Sequence, residues 1–237
     1  MTVLLVLFTL IVFLTLDHFI QKSRTPRLSM AGERIGTRAQ LPMQFPIHVP
    51  DNIALATNHT WLRTNKDGTV TIGLDEFLSR LVGKVEKVSI PCAGDIIAPE
   101  VADIAMGVQG HSLRVAPPMS GDVIESNLDI LRDPSLILRD PYGEGWLLRV
   151  RSRNDDATSW RRYVVGKPVE WLRAQAVLVR DFIVMNAHQG QPVTMQEGGL
   201  PMDGVMQQFD ENVWKDFNRS FAMLHKTKDT ECKENQI

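Results

Sequence analysis

The chain carries six histidines, at positions 18, 48, 59, 111, 188 and 225, and two cysteines, Cys92 and Cys232. These side chains could bind a metal, relay a proton or form a disulfide, but their spacing favours none of the three. No histidine pair has the HxxxH spacing that sets two imidazoles on one helix face, so no metal site is expected. The cysteines stand far apart and outside any CxxC pattern, which argues against a disulfide framework and is compatible with a reducing compartment. Ser, His and Asp are all present, yet no nucleophile elbow or glycine-rich phosphate loop positions them. No catalytic residue is assigned, and the chain is not expected to be an enzyme. The stretch that stands out is MGVQGHSLRVAPPMSGDV, residues 106 to 123, where two short β-type runs flank a tight turn. Gln109, Gly110 and His111 form its tip and are the candidate partner-binding residues. Gly110 reads first as the residue that takes positive φ without strain. His111 reads as a solvated imidazole, and Cys92 as a small buried side chain.

The elements that must position this tip are mostly strands. Thr60 to Thr64 alternates, Asn65-Lys66-Asp67-Gly68 is a turn, and Thr69 to Ile72 is the return strand. Leu74, Phe77, Leu78 and Leu81 share one face of a short helix that Gly83 closes. Further strands are expected over 84–90, 104–109, 112–116, 121–126 and 146–152. Short strands broken by Gly and Pro predict a small sandwich or barrel. The C-terminal third changes character. Residues 168 to 187 open with a proline in the first turn and place Trp171, Leu172, Ala174, Val177, Leu178, Phe182 and Met185 on one broad face. Residues 190 to 203 read as a loop and 204 to 224 as a second helix. Trp171, Trp214, Phe217 and Phe221 would anchor internal packing in preference to a partner interface.

The N-terminal run VLLVLFTLIVFLTL, residues 3 to 16, holds no charge. With its flanks it reaches the roughly 20 residues a helix needs to span a bilayer. A secretory signal peptide is the rival reading, disfavoured because no Lys or Arg precedes the run and no small-x-small site follows it. Lys22, Arg24, Arg27, Arg34 and Arg38 all follow the run, which places the bulk of the chain in the cytoplasm on the positive-inside rule. The expected organisation is a transmembrane anchor over 1–21, a basic then Pro-punctuated linker over 22–50, a β domain over 51–165 and a helical extension over 166–237. The expected location is an inner or plasma membrane, crossed once. A net charge of −2 with scattered Lys and Arg gives no reason to expect nucleic acid as a partner. The Asn58-His59-Thr60 sequon reads as chance in a cytoplasmic domain.

A series of blocks within the β region, in order, resembles the H protein of the glycine cleavage system. His59-Thr60-Trp61 resembles that family's opening His-x-Trp, and Thr71-Ile72-Gly73-Leu74 with the helix after it resembles the next block. The run from Val82 to Pro91, with Gly94 following, is similar to the family's Gly-x-Val-x-x-Val-x-Leu-Pro. Pro118-Met119-Ser120-Gly121-Asp122-Val123 with Asn127 is similar to its Pro-x-Ser-Gly-x-Val block. Asp140-Pro141-Tyr142-Gly143-Glu144-Gly145-Trp146-Leu147 is the most specific match. The resemblance runs from His59 to Arg151, about two fifths of the 237 residues.

The resemblance implies a mainly β, lipoyl-like barrel-sandwich hybrid. It also implies a lysine on the hairpin before the Pro-x-Ser-Gly block, carrying lipoic acid as an amide and passing an aminomethyl group between partner enzymes. Counting back from Ser120-Gly121, that place is Gly110, and the family's acidic residue three positions earlier is Gly107. Neither Gln109 nor His111 can form the amide. The expectation is therefore a membrane-anchored binding or scaffold module with a protein partner and no lipoyl cofactor. The alternatives are a true lipoyl carrier and a membrane-fusion-type adaptor. The latter is disfavoured because no long helical hairpin interrupts the stretch between Val85 and Pro118.

Overall fold

The structure is a computed structural model, and it describes residues 48–99, 101, 104–153, 159–187 and 203–224. The expected anchor, most of the linker, the charged stretch at Asp155-Asp156 and Cys232 lie outside the described residues. Among the described residues, no helix is long and apolar enough to cross a membrane.

Two antiparallel sheets carry the fold. The larger has six strands, β1 (Ala54–Leu55), β2 (Thr60–Thr64), β3 (Val70–Leu74), β5 (Ile96–Ile97), β8 (Gly121–Ser126) and β9 (Trp146–Ser152), in the order β1-β2-β3-β9-β8-β5. The smaller has three strands, β4 (Lys87–Ser89), β6 (Ile104–Val108) and β7 (His111–Val115), in the order β4-β6-β7. Ile104, Met106 and Val108 are buried along β6, with half-exposed Ala105 and Gly107 between them, as period-2 alternation requires. β3 is buried at all five positions, so both of its faces are covered. Barrel residues and C-terminal helix residues contribute to one hydrophobic cluster. The mainly β arrangement is consistent with the barrel-sandwich hybrid that the resemblance implies.

The first helix, α1 (Glu76–Val82), starts after Asp75, whose carboxylate accepts the Leu78 N–H. It ends at Gly83, where φ is 77° and a Cβ would lie 2.6 Å from the Gly204 Cα. A side chain at 83 would therefore push the C-terminal segment off the helix end.

Several expectations need correction. The strand expected over 84–90 is only Lys87–Ser89. Two single-turn helices, α2 (Asp129–Arg132) and α3 (Leu136–Arg139), lie between β8 and β9, where no element is assigned from the sequence. Asn127 sets up the first by accepting from the Asp129 N–H. Cys92 is exposed, not buried, because it lies in an exposed turn of residues 92–95, where Asp95 accepts its N–H.

The long helix α4 (Pro168–Asn186) buries Leu172, Ala176, Val179 and Ile183. Leu178 and Met185, expected on its inner face, are 41% and 77% exposed. The buried set falls at i, i+4, i+7 and i+11, a narrower stripe rotated from the expected one. The second helix is not continuous. A 3-10 turn (Val205–Gln208) is followed by α5 (Glu211–Phe217) and a π turn (Asn218–Ala222). Asp210 causes the break, since its carboxylate accepts the Asn212 and Val213 N–H groups and starts a new helix.

Candidate functional site

Four of the motif blocks meet at the loop of residues 140 to 147. The Trp61 indole is fully buried and donates to the Pro141 carbonyl at 3.0 Å. Arg63 donates to the Tyr142 carbonyl, and the Tyr142 hydroxyl accepts the Glu76 N–H. Burial, reinforced by the nearby Asp75 charge, raises the Tyr142 phenol well above its ordinary range. Asn127 ties the same loop down by donating to the Glu144 and Trp146 carbonyls.

His59 sits at φ 64° with its ring fully buried, and its Nδ1 lies 2.7 Å from Asp75 Oδ2. A His–carboxylate pair can activate a nucleophile. Here the rings of Phe77 and Trp171 wall it in at 5.3 Å and 4.7 Å, and the pair instead locks β2 to the cap of α1. Asn58 is likewise buried, donating to the Ala116 carbonyl, so the sequon is not an accessible acceptor.

The hairpin β6–β7 pairs in register from Ile104↔Val115 to Val108↔His111. That leaves Gln109 and Gly110 as a two-residue turn, with φ of 46° and 83°. Positive φ at both central residues is the type I′ geometry that matches strand twist. Both are exposed, and a Cβ built on Gly110 meets nothing within 4 Å.

The structure places all three expected tip residues together, and it sets C-terminal residues against two of them. Gln109 donates to the Gln207 side-chain carbonyl at 3.2 Å. His111 Nδ1 lies 3.2 Å from Glu211 Oε2, and its ring stacks on Trp214 with centroids 5.3 Å apart and planes 12° from parallel. His111 is therefore half-buried, contrary to the solvated reading. Its inward direction follows from sharing a strand face with buried Leu113 and Val115. The hydrogen bond from His111 holds the Glu211 carboxyl below its usual range. One turn on, Asn218 accepts the Arg114 N–H at 3.0 Å and donates to the Ser112 carbonyl at 2.9 Å. A single carboxamide thus pairs one outward N–H and one outward C=O on the free edge of β7, as a neighbouring strand would.

The same segment grips α1, where Gly204 N–H donates to the Arg80 carbonyl and Gln207 to the Val82 carbonyl. Trp214, Phe217 and Phe221 are buried, with Phe182 of α4 against both phenylalanines at 5.9 Å and 5.7 Å. Gln207, Glu211 and Asn218 had no signature in the sequence, because they are exposed or half-exposed polar residues about a hundred positions from their partners. Trp214 gave the one available signal, through its helical spacing with Phe217 and Phe221. Among the described residues, no group of three or more His, Cys, Asp and Glu side chains could hold a metal.

Comparison with known proteins matches the β region of the chain. The family model for the glycine cleavage H-protein matches residues 53–161. A glycine cleavage system H protein of Psychrobacter sp. (strain PRwf-1) is 37% identical over 111 residues, covering 46% of this chain and 86% of that protein. One from Alkalilimnicola ehrlichii is 36% identical over 109 residues, covering 46% and 83%. A crystal structure of a glycine cleavage system H protein from Mycobacterium marinum aligns with a TM-score of 0.44 and 23% identity, covering 54% of this chain and 98% of that one. The chain belongs to the glycine cleavage H-protein family. Helices α4 and α5 lie beyond the matched residues.

Proposed function

We propose that this chain is a membrane-tethered, non-catalytic H-protein-like binding or scaffold module that carries no lipoyl arm. The observation that carries the reading is Gly110, a glycine at φ 83° in a two-residue turn, standing where the family resemblance calls for the lipoyl lysine. A carrier needs a long nucleophilic amine there, and no neighbour in the turn supplies one. Membership of the family supports a protein partner. Fold does not transfer function when the functional residue is lost, so the partner need not be a glycine cleavage enzyme. The uncharged run at residues 3 to 16, followed by basic residues, supports a single-pass anchor with the module on the cytoplasmic side.

The test is the intact mass of the full chain isolated from detergent-solubilised membranes, together with a reporter fused at its C-terminus. The reading expects the unmodified sequence mass, sedimentation with membranes and a cytoplasmic reporter signal. A lipoyl increment on any lysine would overturn the unlipoylated reading in favour of the carrier. A reporter signal on the opposite side would favour the membrane-fusion adaptor.

A further inference from the structure

We propose that the C-terminal helices are a built-in ligand of the hairpin tip, closing it in cis to any enzyme that would acylate a lysine at its apex. The inference rests on the unlipoylated reading and extends it, because it adds a second barrier that is independent of the missing lysine.

One C-terminal segment, from Gln207 to Asn218, holds the tip and the strand after it. Gln207 contacts the residue before Gly110, while Glu211 and Trp214 hold the residue after it. Asn218 then completes the outer edge of β7 at Ser112 and Arg114. The grip is not a loose surface contact. Trp214 is 1% exposed and Phe217 fully buried, so the segment that supplies these polar contacts is anchored by the core itself. Gly110 stands apart from this crowding, since a Cβ there has open space around it. A lysine side chain would therefore have room to reach solvent, although an L residue at φ 83° carries backbone strain that glycine avoids. What the cap occupies is the β7 side of the hairpin together with the Gln109 side chain, a side that a second protein would contact to bring an activated acyl group to the apex.

That asymmetry separates two kinds of acyl donor. In the reaction, the lysine Nζ attacks the lipoyl carbonyl of an acyl adenylate. The amide C–N bond forms, the bond to the AMP oxygen breaks, AMP departs and the amine loses a proton. A free acyl adenylate needs only the amine. A ligase that makes the same adenylate from lipoate and ATP must also seat the hairpin.

The experiment uses the full chain carrying Gly107→Glu and Gly110→Lys, which restores both the acidic residue and the lysine of the family pattern. Position 107 tolerates the change, since its Cβ would meet Lys87 Cβ at an ordinary 3.5 Å. The variant is treated with lipoate ligase, lipoate and ATP, or with synthetic lipoyl adenylate alone, and labelling is read by intact mass and peptide mapping. The cap predicts that the free adenylate labels Lys at 110, while the ligase acts roughly tenfold or more slowly than on a stand-alone H protein. Adding Trp214→Ala and Asn218→Ala should raise the ligase rate at least about tenfold and leave the chemical rate unchanged. If that combination fails to fold by far-UV circular dichroism, Asn218→Ala alone should raise the ligase rate by a smaller factor. Ligase modification of the capped chain at the rate of a stand-alone H protein would overturn the proposal. So would resistance to both donors, which would put the barrier in the turn. Lipoylation of the unsubstituted chain at another lysine would instead overturn the unlipoylated reading, leaving the cap to be judged at position 110.

Discussion

The motif-bearing end of the barrel and the hairpin tip are held by opposite means. Around Trp61, the polar contacts come from within the family-like region, with indole, Pro141, Tyr142, Asn127 and the loop of residues 140 to 147 satisfying one another. At the tip, the side-chain contacts come from outside it, from Gln207, Glu211, Trp214 and Asn218. The first arrangement preserves a fold. The second gives the hairpin tip a neighbour from its own chain that lies beyond the residues matched to the family.

Substitutions at the two ends should separate these roles. The largest effect is expected from Trp214→Ala, which empties a buried site between His111 of β7 and Phe217 and should cost about 3–5 kcal/mol. Urea denaturation would measure it, and a two-state loss shared by barrel and helices would show that the cap folds with the barrel. Asp75→Ala at the other end removes the cap of α1 and strands the buried His59 Nδ1. It should cost about 1–3 kcal/mol and leave the hairpin contacts intact. Asp210→Ala loses the N-cap of α5, for about 1 kcal/mol, with the loss felt at the tip rather than around Trp61. These comparisons would break down if Asp75→Ala loosened the hairpin as much as Trp214→Ala does.

The smallest effect is one of pH. The Glu211 carboxyl titrates below its unfolded value because His111 hydrogen-bonds to it. Its contribution is therefore present above the unfolded carboxylate range and is lost as pH falls through the lowered folded value. The exposed pair is screened by solvent, so the change should be slight. Chemical shifts of His111 followed by NMR should move over that acid range, and Glu211→Gln should remove the transition.

The barrel was legible in the sequence because its determinants are local or sit in ordered blocks. The Asp-Gly turn, the alternating strands and the loop from Asp140 to Leu147 each declare themselves over a few residues. The turn was legible through Gly110, but Gln109 at φ 46° was not, and His111, read as part of the turn, belongs to β7. The cap was not legible. Its polar contacts join positions about a hundred residues apart, and neither Glu211 nor Asn218 differs in type from an ordinary solvated residue. Helical periodicity marked Trp214 and Phe217 as apolar, but could not say which strand they would cover. The face of α4 was misread because apolar residues lie on more than one side of that helix. Packing, not periodicity, decides which stripe turns inward.

The central claim is that the hairpin tip belongs to the C-terminal helices, and hydrogen exchange tests it most directly. The Arg114 amide points away from β6 to the Asn218 side chain. In the full chain, the account predicts slow exchange at Arg114, lost on Asn218→Ala while the amides of β2 and β3 keep their protection. Fast exchange at Arg114 in the unsubstituted chain, typical of an open sheet edge, would contradict it.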